Sequence, residues 1–362
     1  MHTVLIIGAG KIGTLIAGLL IDSGIYKVSM ADHNFSGADF ARLAAAVPQI
    51  KTYQIDVTDK ESLLQLFRKH SFDAVISGLP YYLNLPIAEA VKPFKIHYFD
   101  LTEDVRTSAA IKELAGDAAN AYVPQCGLAP GFIGIAANSL MQNFTELESA
   151  KLRVGALPQQ SSHALQYSLT WSTDGLINEY GNSGVGISNK KFIATQALEG
   201  LEELQIDGQL YEAFNTSGGI GSLAELYIGK IDQLNYKTIR YPGHCQLMRF
   251  LMLDLKLNQD RDILKRILEN ALPKTYQDVV IIYVSVSGKQ NAEYIEESYF
   301  KKIYPKTLFG LTWSAIQVST ASGLCAVLDL SMQQKNRIQG YILQEKFALK
   351  DVLANQFGKV FK

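Results

Sequence analysis

A glycine-rich hexapeptide near the start of the chain constrains its fold more than any other feature. This segment, Gly8-Ala9-Gly10-Lys11-Ile12-Gly13, follows the apolar run Val4-Leu5-Ile6-Ile7 and precedes apolar residues at helical spacing. A short aliphatic run without polar alternation is typical of a parallel strand buried on both faces. Three glycines between such a strand and a helix let the backbone approach a pyrophosphate at the helix N-terminus. The hexapeptide therefore predicts a dinucleotide-binding loop.

An acidic residue after the second predicted strand indicates which dinucleotide binds. The strand at 27–31 ends at Asp32, 22 residues after Gly10. A carboxylate at this point accepts hydrogen bonds from the adenosine ribose and repels a 2′-phosphate. The adjacent His33 supplies no guanidinium for such a phosphate. We predict NAD as the cofactor, with NADP as the alternative; the other interpretation is a glycine-rich turn that binds no nucleotide.

Strands continue to alternate with helices as far as residue 131. The third to sixth predicted strands lie at 51–55, 73–77, 96–99 and 121–124. Six strands alternating with helices predict an α/β fold with a doubly wound parallel sheet, whose ligands bind at the carboxyl ends of the strands. Residues that follow these strands are expected to join the cofactor site or to serve only as turns and caps; they are Asp56, Val57, Ser77, Gly78, Leu79, Pro80, Leu101 and Thr102.

The pattern becomes strand-like and alternating after about residue 150. Strands are predicted at 152–157, 165–171, 191–195, 204–214, 279–286 and 294–304, with a turn at Gly288 and helices at 262–272 and around 221–234. This pattern predicts an α+β domain with a mostly antiparallel sheet. We therefore expect a dinucleotide-binding domain at 1–131, a substrate domain at 132–310, and a helical segment at 311–362 that packs back on the first domain.

Composition narrows the functional classes. The 362 residues include 34 Lys and Arg against 35 Asp and Glu, so no global field favours nucleic acid or an acidic membrane as a partner. Three widely spaced cysteines favour neither a disulfide framework nor a metal site, and fit a reducing cytoplasm. No secretory signal is visible at the start. The uncharged stretch at 307–328 carries several polar side chains, which predicts a buried helix and not a membrane span.

Three short motifs are candidates for binding a substrate. Gly131-Phe132 ends a tight strand-to-helix turn whose amides can face a ligand, or it is only a structural turn. Trp171 precedes two hydroxyls and a carboxylate that can hold an amine, or it is a core residue beside a helix cap. In the segment Arg240-Tyr241-Pro242-Gly243-His244, the arginine is a natural bidentate partner for a carboxylate, with a surface salt bridge as the alternative.

These motifs, in this order, resemble those of the saccharopine dehydrogenase and lysine 6-dehydrogenase superfamily over the whole chain. The resemblance implies a Rossmann domain, an inserted substrate domain, a nicotinamide cofactor, a small amino-acid substrate and a homodimer. The segment 240–244 is similar to the lysine 6-dehydrogenase branch. The matching residues are Gly8 to Gly13, Asp32, 127–131, 154–158, Trp171-Ser172, 178–180 and 240–244.

The resemblance implies that a hydride leaves the carbon that bears a lysine-type amine, after which water hydrolyses the imine to a semialdehyde. A base must first free the nitrogen lone pair. The candidates are His244, Glu103, Asp100 and Asp104; we favour His244, whose ordinary pKa is about 6.5, or Glu103. Asp100 and Glu103 also have the spacing of an N-cap and its reciprocal partner.

In this reading, Arg240 anchors the substrate α-carboxylate, Trp171 lines its aliphatic chain, and Tyr241, Gly131 and Phe132 complete the substrate site. Three alternatives remain. Saccharopine oxidation to glutamate requires more than one arginine, and the nearby motifs offer only Arg240 and Arg153. The others are a carboxynorspermidine-type reductive condensation and a nucleotide-binding sensor without turnover.

Overall fold

The computed structural model describes residues 1–47, 50–333 and 338–362. The chain divides into two compact units. The first contains residues 1–128, 307–312 and 317–362, and the second contains 129–306 and 313–316. The boundaries expected from the sequence were at residues 131 and 310.

The first unit begins with regularly alternating strands and helices. The elements are β1 (His2–Ile7), α1 (Lys11–Asp22), β2 (Tyr26–Asp32), α2 (Ala38–Ala46), β3 (Lys51–Gln54), α3 (Lys60–Lys69), β4 (Ala74–Ser77), α4 (Asn84–Val91), β5 (His97–Asp100), α5 (Val105–Leu114) and β6 (Ala121–Val123). All pairs of these strands are parallel, in the order β6-β5-β4-β1-β2-β3. The strand order reverses between β1 and β4, so the glycine-rich loop after β1 lies at the switch point where such sheets bind ligands.

The second unit contains a mixed sheet of eight strands. Its elements are α6 (Phe132–Met141), β7 (Glu146–Pro158), α7 (Thr173–Gly181), β8 (Gly184–Ser188), β9 (Lys191–Thr195), β10 (Glu202–Ile206), β11 (Gln209–Asn215), α8 (Leu223–Tyr227), β12 (Ile231–Arg240), α9 (His244–Arg249), α10 (Arg261–Ala271), β13 (Asp278–Gln290) and β14 (Glu293–Ile303). A π-helical turn, Phe250–Asp254, continues α9. The order is β10-β11-β12-β7-β13-β14, with β8 and β9 attached beside β12, and only β12 and β7 are parallel.

This sheet is strongly curled. Lys302 on the edge strand β14 reaches Asp207, in the turn between β10 and β11 at the opposite edge, with an Nζ–Oδ2 distance of 2.7 Å. The concave face contains an apolar cluster that includes Leu157, Ile239 and Ile281. The predicted α/β fold with a second, mostly antiparallel sheet is confirmed.

The C-terminal segment is not wholly helical, contrary to the expectation for 311–362. It consists of a hairpin of β15 (Lys306–Leu308) and β16 (Leu311–Trp313), the long helix α11 (Ala315–Met332), β17 (Gly340–Tyr341) and α12 (Leu349–Ala354). Strand β17 adds to the first sheet beside β6. Phe309 and Gly310 both have a left-handed backbone, which closes the hairpin. Residues 334–337 of the predicted segment lie outside the described residues.

Helix α11 explains the long uncharged stretch. Within the described ranges it is the one helix long and apolar enough to cross a membrane, and 83% of its 18-residue window is buried inside the protein. Tyr26 of β2 donates a hydrogen bond from its hydroxyl to Asp329 Oδ1 of this helix at 2.7 Å. Burial against the first unit therefore accounts for its apolar composition.

Three local predictions in the second unit are wrong. Residues 165–171 form no strand, because Gln166 has a left-handed backbone and the alternating apolar side chains pack against α7 and α10. The helix expected around 221–234 ends at Tyr227, and β12 begins at Ile231. The hairpin expected at Gly288 turns at Asn291-Ala292, while Gly288 lies inside β13 at an irregularity of the ladder.

Candidate functional site

The glycine-rich loop has the geometry that a diphosphate needs. Gly8 has φ +109°, and a side chain there would press on the backbone of Gly78 after β4. No atom lies within 4 Å of the position of a Cβ at Gly10, so its backbone is open to a ligand. A Cβ at Gly13 would collide with the Gly8 carbonyl oxygen, so this glycine allows α1 to pack closely on β1. Lys11 and Ile12 begin α1 directly after the loop.

Asp32 lies at the end of β2 and holds the same loop. Its Oδ2 accepts a hydrogen bond from Ala9 N at 2.6 Å, and its Oδ1 accepts one from Asn34 N at 2.9 Å. His33 is exposed, and its Nδ1 lies 2.9 Å from Asp32 Oδ1. A carboxylate oxygen has more than one lone pair, so Asp32 can still accept hydrogen bonds from ribose hydroxyls. The loop and Asp32 thus fit the adenosine half of a dinucleotide.

The other predicted cofactor residues differ in what they offer. Asp56 is exposed, and the Thr58 hydroxyl that donates to it holds the pKa of this carboxyl below its usual range. Val57 is buried in the core of the first unit. Ser77 is fully buried and donates to Asn84 Oδ1 at 2.6 Å. Val57 and Ser77 therefore have packing roles that the sequence pattern did not reveal.

The segments after β4 and β5 end in small or partly exposed residues. Gly78 packs beside Gly13, whose Cα would lie 3.5 Å from a Cβ at Gly78. Leu79, Pro80 and Leu101 are partly exposed, whereas Thr102 is buried. Their contacts with a cofactor remain predictions.

Asp100 is fully buried at the end of β5. It accepts hydrogen bonds from the backbone N–H groups of Thr102 and Gln125 and from the Tyr98 hydroxyl, all within 3.0 Å. Burial nevertheless raises the pKa of Asp100 to about 6. The carboxylate holds two segments of backbone together, which gives it a structural role independent of catalysis.

The N-cap of α5 is Asp104, and not Asp100 with Glu103 as its reciprocal partner. Asp104 Oδ1 accepts from Thr107 N at 2.7 Å. The carboxyl group of Asp100 is instead turned back toward the sheet. Glu103 is partly exposed between these two residues, and its catalytic role remains a prediction.

The second unit encloses a buried guanidinium. Arg240, the last residue of β12, is 3% exposed. Its Nε donates to the Tyr180 hydroxyl at 2.8 Å, and its Nη1 donates to the Ile239 carbonyl at 2.8 Å. The guanidinium carbon lies 5.0 Å from the centre of the Tyr167 ring. Burial lowers the pKa of Arg240, but Tyr180, Tyr167 and Glu179 outweigh burial and raise it above its usual value.

In the part of the chain that the structure describes, Arg240 forms no salt bridge with a carboxylate. The hydrogen bonds to Tyr180 and Ile239 use two of the five N–H donors of its guanidinium. Buried charges are normally paired, because leaving water is costly for an ion. The remaining donors of Arg240 can therefore bind an anionic ligand.

His244 is buried beside this guanidinium. Its Nδ1 lies 2.7 Å from the Leu165 carbonyl, which can only accept, so Nδ1 carries the proton. Its Nε2 is then the acceptor for the Tyr180 hydroxyl at 3.2 Å. Burial, and then the charge of Arg240, lower the pKa of His244 to about 3. The prediction of His244 as a base assumed an ordinary imidazole pKa, whereas its surroundings lower this pKa.

Arg153 does not belong to the same site. Residues an odd number of positions apart on a strand point to opposite faces, so Lys237 and Arg240 lie on opposite faces of β12. Arg153 is the register partner of Lys237 and shares its face. There both cations bind Glu202, with a Lys237 Nζ–Oε2 distance of 2.6 Å. Arg153 therefore adds no charge to the face that carries Arg240.

Tyr241 also points away from Arg240. Its ring stacks on Tyr211 at 5.6 Å between centroids, and its hydroxyl donates to the Pro158 carbonyl at 2.8 Å. These contacts belong to the concave face of the sheet. The position of Tyr241 therefore does not support a role beside Arg240.

The remaining predicted substrate residues are largely packed. Trp171 is partly buried, and its Nε1 donates to the Tyr167 hydroxyl at 3.0 Å. Tyr167 therefore lies between Trp171 and the guanidinium of Arg240. Gly131 has φ +128° and begins α6, which only a glycine does without strain. Phe132 is 1% exposed and lies 5.7 Å from the Tyr299 ring. Phe132 is thus a core residue, whereas Trp171 packs beside Tyr167.

Tyr167, Tyr180 and Glu212 were not predicted as site residues from the sequence. Tyr180 belongs to the segment 178–180 that carried the family resemblance, but no role was assigned to it. Tyr167 was placed in a strand that does not form. Glu212 is buried on β11, and only the antiparallel register of β11 and β12 shows that it lies opposite Arg240. The sequence alone carries no signal that places Glu212 beside Arg240.

Within the described residues, no group of three or more His, Cys, Asp and Glu side chains lies close enough to hold a metal ion. All three cysteines are free and buried.

Two family models match nearly the whole chain. Residues 4–126 match the saccharopine dehydrogenase NADP binding domain, and residues 127–359 match the saccharopine dehydrogenase C-terminal domain. A curated relative, the mitochondrial alpha-aminoadipic semialdehyde synthase of Bos taurus, is 25% identical over 283 residues. The match covers 73% of this chain but only 30% of that relative.

Two solved structures share the fold. The saccharopine dehydrogenase (L-Glu forming) of Saccharomyces cerevisiae has a TM-score of 0.76 and 16% identity, with 94% of each chain covered. The homospermidine synthase of Legionella pneumophila has a TM-score of 0.67 and 11% identity, with 99% of this chain and 89% of that chain covered.

Proposed function

We propose that this chain, which belongs to the saccharopine dehydrogenase family, is an NAD(P)-dependent oxidoreductase. Its proposed reaction is the oxidation of the CH–NH group of a lysine-type amino acid. Members of this family are NAD(P)-dependent oxidoreductases that act on CH–NH donors. The reaction that we favour is oxidative deamination of the side-chain amine to the semialdehyde. The observation that carries this proposal is the buried Arg240, which lacks a carboxylate partner within the described chain and is held by Tyr180.

The first unit is the NAD(P)-binding domain of the family. When bound there, NAD(P) would supply the acceptor for the hydride that leaves the substrate. Gly10 leaves the loop backbone open to the diphosphate, and Asp32 is positioned to bind the ribose hydroxyls. The family model is described as NADP-binding, but a carboxylate at the end of β2 repels a 2′-phosphate. We propose that this member prefers NAD, the cofactor bound in the Legionella homospermidine synthase structure.

The second unit recognises the amino acid through its carboxylate. Two Arg240 N–H donors are already used by Tyr180 and the Ile239 carbonyl, which fixes the plane of the guanidinium. A fixed guanidinium presents its remaining donors in a fork that matches a carboxylate. Trp171 and Tyr167 supply aromatic surface beside it. These features support a substrate with an α-carboxylate and an aliphatic chain.

A lysine-type substrate fits better than saccharopine, which has three carboxylates. Arg153, the second arginine considered from the sequence, lies on the opposite face of the sheet and is bound to Glu202. The face of Arg240 therefore lacks the extra arginine that the sequence offered for saccharopine. Saccharopine oxidation remains the alternative, since one of the solved structures with this fold is a saccharopine dehydrogenase.

We propose that His244 orients Tyr180 and does not move the proton from the amine. With a pKa of about 3, the imidazole is neutral near pH 7, and its free lone pair accepts from the Tyr180 hydroxyl. Asp100 and Glu103 remain the candidates for the base. A reductive condensation of the carboxynorspermidine type, a sensor without turnover, the homodimer and the cytoplasmic location also remain predictions.

The test is a substrate panel. Purified protein is mixed with lysine, saccharopine, ornithine or a carboxylated polyamine, each with NAD and with NADP, and reduced nicotinamide is followed at about 340 nm. We expect the highest kcat/KM with lysine and NAD. A higher value with saccharopine would select the alternative, and cofactor binding without turnover of any amine would select the sensor.

A further inference from the structure

The buried carboxylate of Glu212 lies opposite Arg240 on the neighbouring strand but does not pair with it. Glu212 on β11 is 5% exposed and is the direct register partner of Arg240 on β12. Its Oε2 accepts from Gly243 N at 2.8 Å, and its Oε1 accepts from Cys245 N at 2.6 Å. Both carboxylate oxygens are thus engaged by backbone N–H groups on either side of His244.

This arrangement has an electrostatic consequence. Opposite charges at directly opposed strand positions normally attract each other. Here the N–H groups of Gly243 and Cys245 occupy Glu212, and the Arg240 guanidinium turns to Tyr180 instead. Glu212 is the carboxylate directly opposite Arg240, but its oxygens are bound by backbone N–H groups. Arg240 therefore stays available to a ligand.

The arrangement also has a mechanical consequence. Glu212 fixes the backbone of the two residues that flank His244. The His244 Nε2 accepts from the Tyr180 hydroxyl, and the oxygen of that hydroxyl accepts from Arg240 Nε. The His244 Nδ1 donates its proton to the Leu165 carbonyl, so Nε2 is free to accept. Every hydrogen bond in this series therefore joins one donor to one acceptor. A continuous directional chain therefore leads from Glu212 to the guanidinium.

We infer that Glu212 is a positioning residue that aims the Arg240 guanidinium at the substrate carboxylate, through the backbone around His244 and through Tyr180. The inference rests on the proposed function for the identity of the ligand, but the geometry that it describes exists without one. Glu212 touches no substrate in this account. Its effect appears as selectivity for carboxylated amines over amines that lack the carboxylate.

The decisive variant is Glu212→Gln, which keeps the size of the side chain. Glutamine can accept from one of the two N–H groups, but its NH2 group then faces the other donor. Glu212→Asp keeps the charge but is shorter, and it serves as the second variant if the glutamine protein does not fold. Glu202→Gln is the matched control, because Glu202 binds Arg153 on the opposite face of the same sheet.

The first measurement requires no substrate. Hydrogen exchange of the arginine Nε–H groups is followed by NMR in each protein. We expect Arg240 Nε–H to exchange at least about tenfold faster in Glu212→Gln, while Arg153 Nε–H keeps its wild-type rate. In Glu202→Gln the pattern is reversed. Equal acceleration of both groups, or no change at Arg240, overturns the inference.

The second measurement compares L-lysine with 1,5-diaminopentane, which is lysine without its carboxylate. Glu212→Gln should raise KM for lysine about tenfold while leaving kcat and KM for the diamine within about twofold. In a Tyr180→Phe background the same substitution should add no further loss of selectivity, because the chain is already broken. An equal effect on both amines, or full additivity in the double variant, contradicts the inference. If the wild type oxidises neither amine, the proposed function fails, and the exchange experiment still decides the role of Glu212.

Discussion

The substitution Arg240→Met tests the carboxylate anchor directly. Methionine has an unbranched chain of similar length, so it fills the space beside Tyr167 and Tyr180 while removing the charge. Two guanidinium N–H groups are used by the protein, and the remaining fork is available to a carboxylate. Hydrogen bonds to a charged group contribute about 1.5–3 kcal/mol each. Losing about 3 kcal/mol raises KM for lysine about a hundredfold.

The assay is steady-state kinetics with lysine and NAD, together with calorimetric NAD binding. Arg240→Lys keeps the charge but not the fork, so we expect a KM between those of the wild type and Arg240→Met. Arg249→Ala is the control: this arginine on α9 is 42% exposed and donates to the Leu198 carbonyl. NAD affinity should stay unchanged in all three variants. Unchanged KM in Arg240→Met, or a loss of NAD affinity, would refute the reasoning.

Three further predictions concern the first unit. Gly10→Ala and Gly13→Ala should both weaken NAD binding, but only Gly13→Ala should lower Tm by several degrees, because its Cβ meets the Gly8 carbonyl whereas a Cβ at Gly10 meets nothing; equal Tm values would contradict this packing. Asp32→Ser should shift the NAD to NADP ratio of kcat/KM toward NADP by about tenfold, since the charge that repels a 2′-phosphate is removed; an unchanged ratio would show that Asp32 does not read the ribose. Burial raises the pKa of Asp100 to about 6, from 3.8 in an unfolded chain, so the folded state takes up its proton first as pH falls. Compared with Asp100→Asn, the wild type should therefore gain about 2 kcal/mol of unfolding free energy between pH 7 and pH 4 in denaturant titrations, and a parallel pH dependence of the two proteins would contradict it.

The dinucleotide half of the molecule was predictable from the sequence because its signals are local. The strand, the glycine loop and the helix that follow one another at 2–22 are contiguous in sequence, and Asp32 lies at a spacing that the fold itself imposes. Gly8 and Gly13 are required by the backbone packed against them, and Gly10 leaves the loop open to a ligand. Such features depend little on the rest of the chain.

The second unit was only partly predictable, because the surroundings of Arg240 depend on pairing between distant strands. The sequence identified Arg240, but not that Glu212 lies opposite it or that Arg153 and Tyr241 lie on the other face. The pKa of His244 could not be inferred from its residue type, since it depends on burial and on the Arg240 charge. Register and burial are tertiary properties.

Local signals also failed where tertiary packing overrode them. The alternating apolar residues at 165–171 have the period of a strand, but they pack their side chains against helices without joining the sheet. Gly288 was assigned to a turn because it is a glycine. It lies inside β13, where a Cβ would collide with the Glu146 carbonyl, and Asn291 and Ala292 make the turn.

The most direct test of the account is the origin of the transferred hydride. L-lysine labelled with deuterium at carbon 6 is incubated with the protein and NAD, and the reduced nicotinamide is examined by mass spectrometry; lysine labelled at carbon 2 is examined in parallel. Oxidation of the side-chain amine predicts one deuterium in the reduced cofactor from the carbon 6 label and none from carbon 2. Transfer from carbon 2, or reduced cofactor without label from carbon 6, would contradict it.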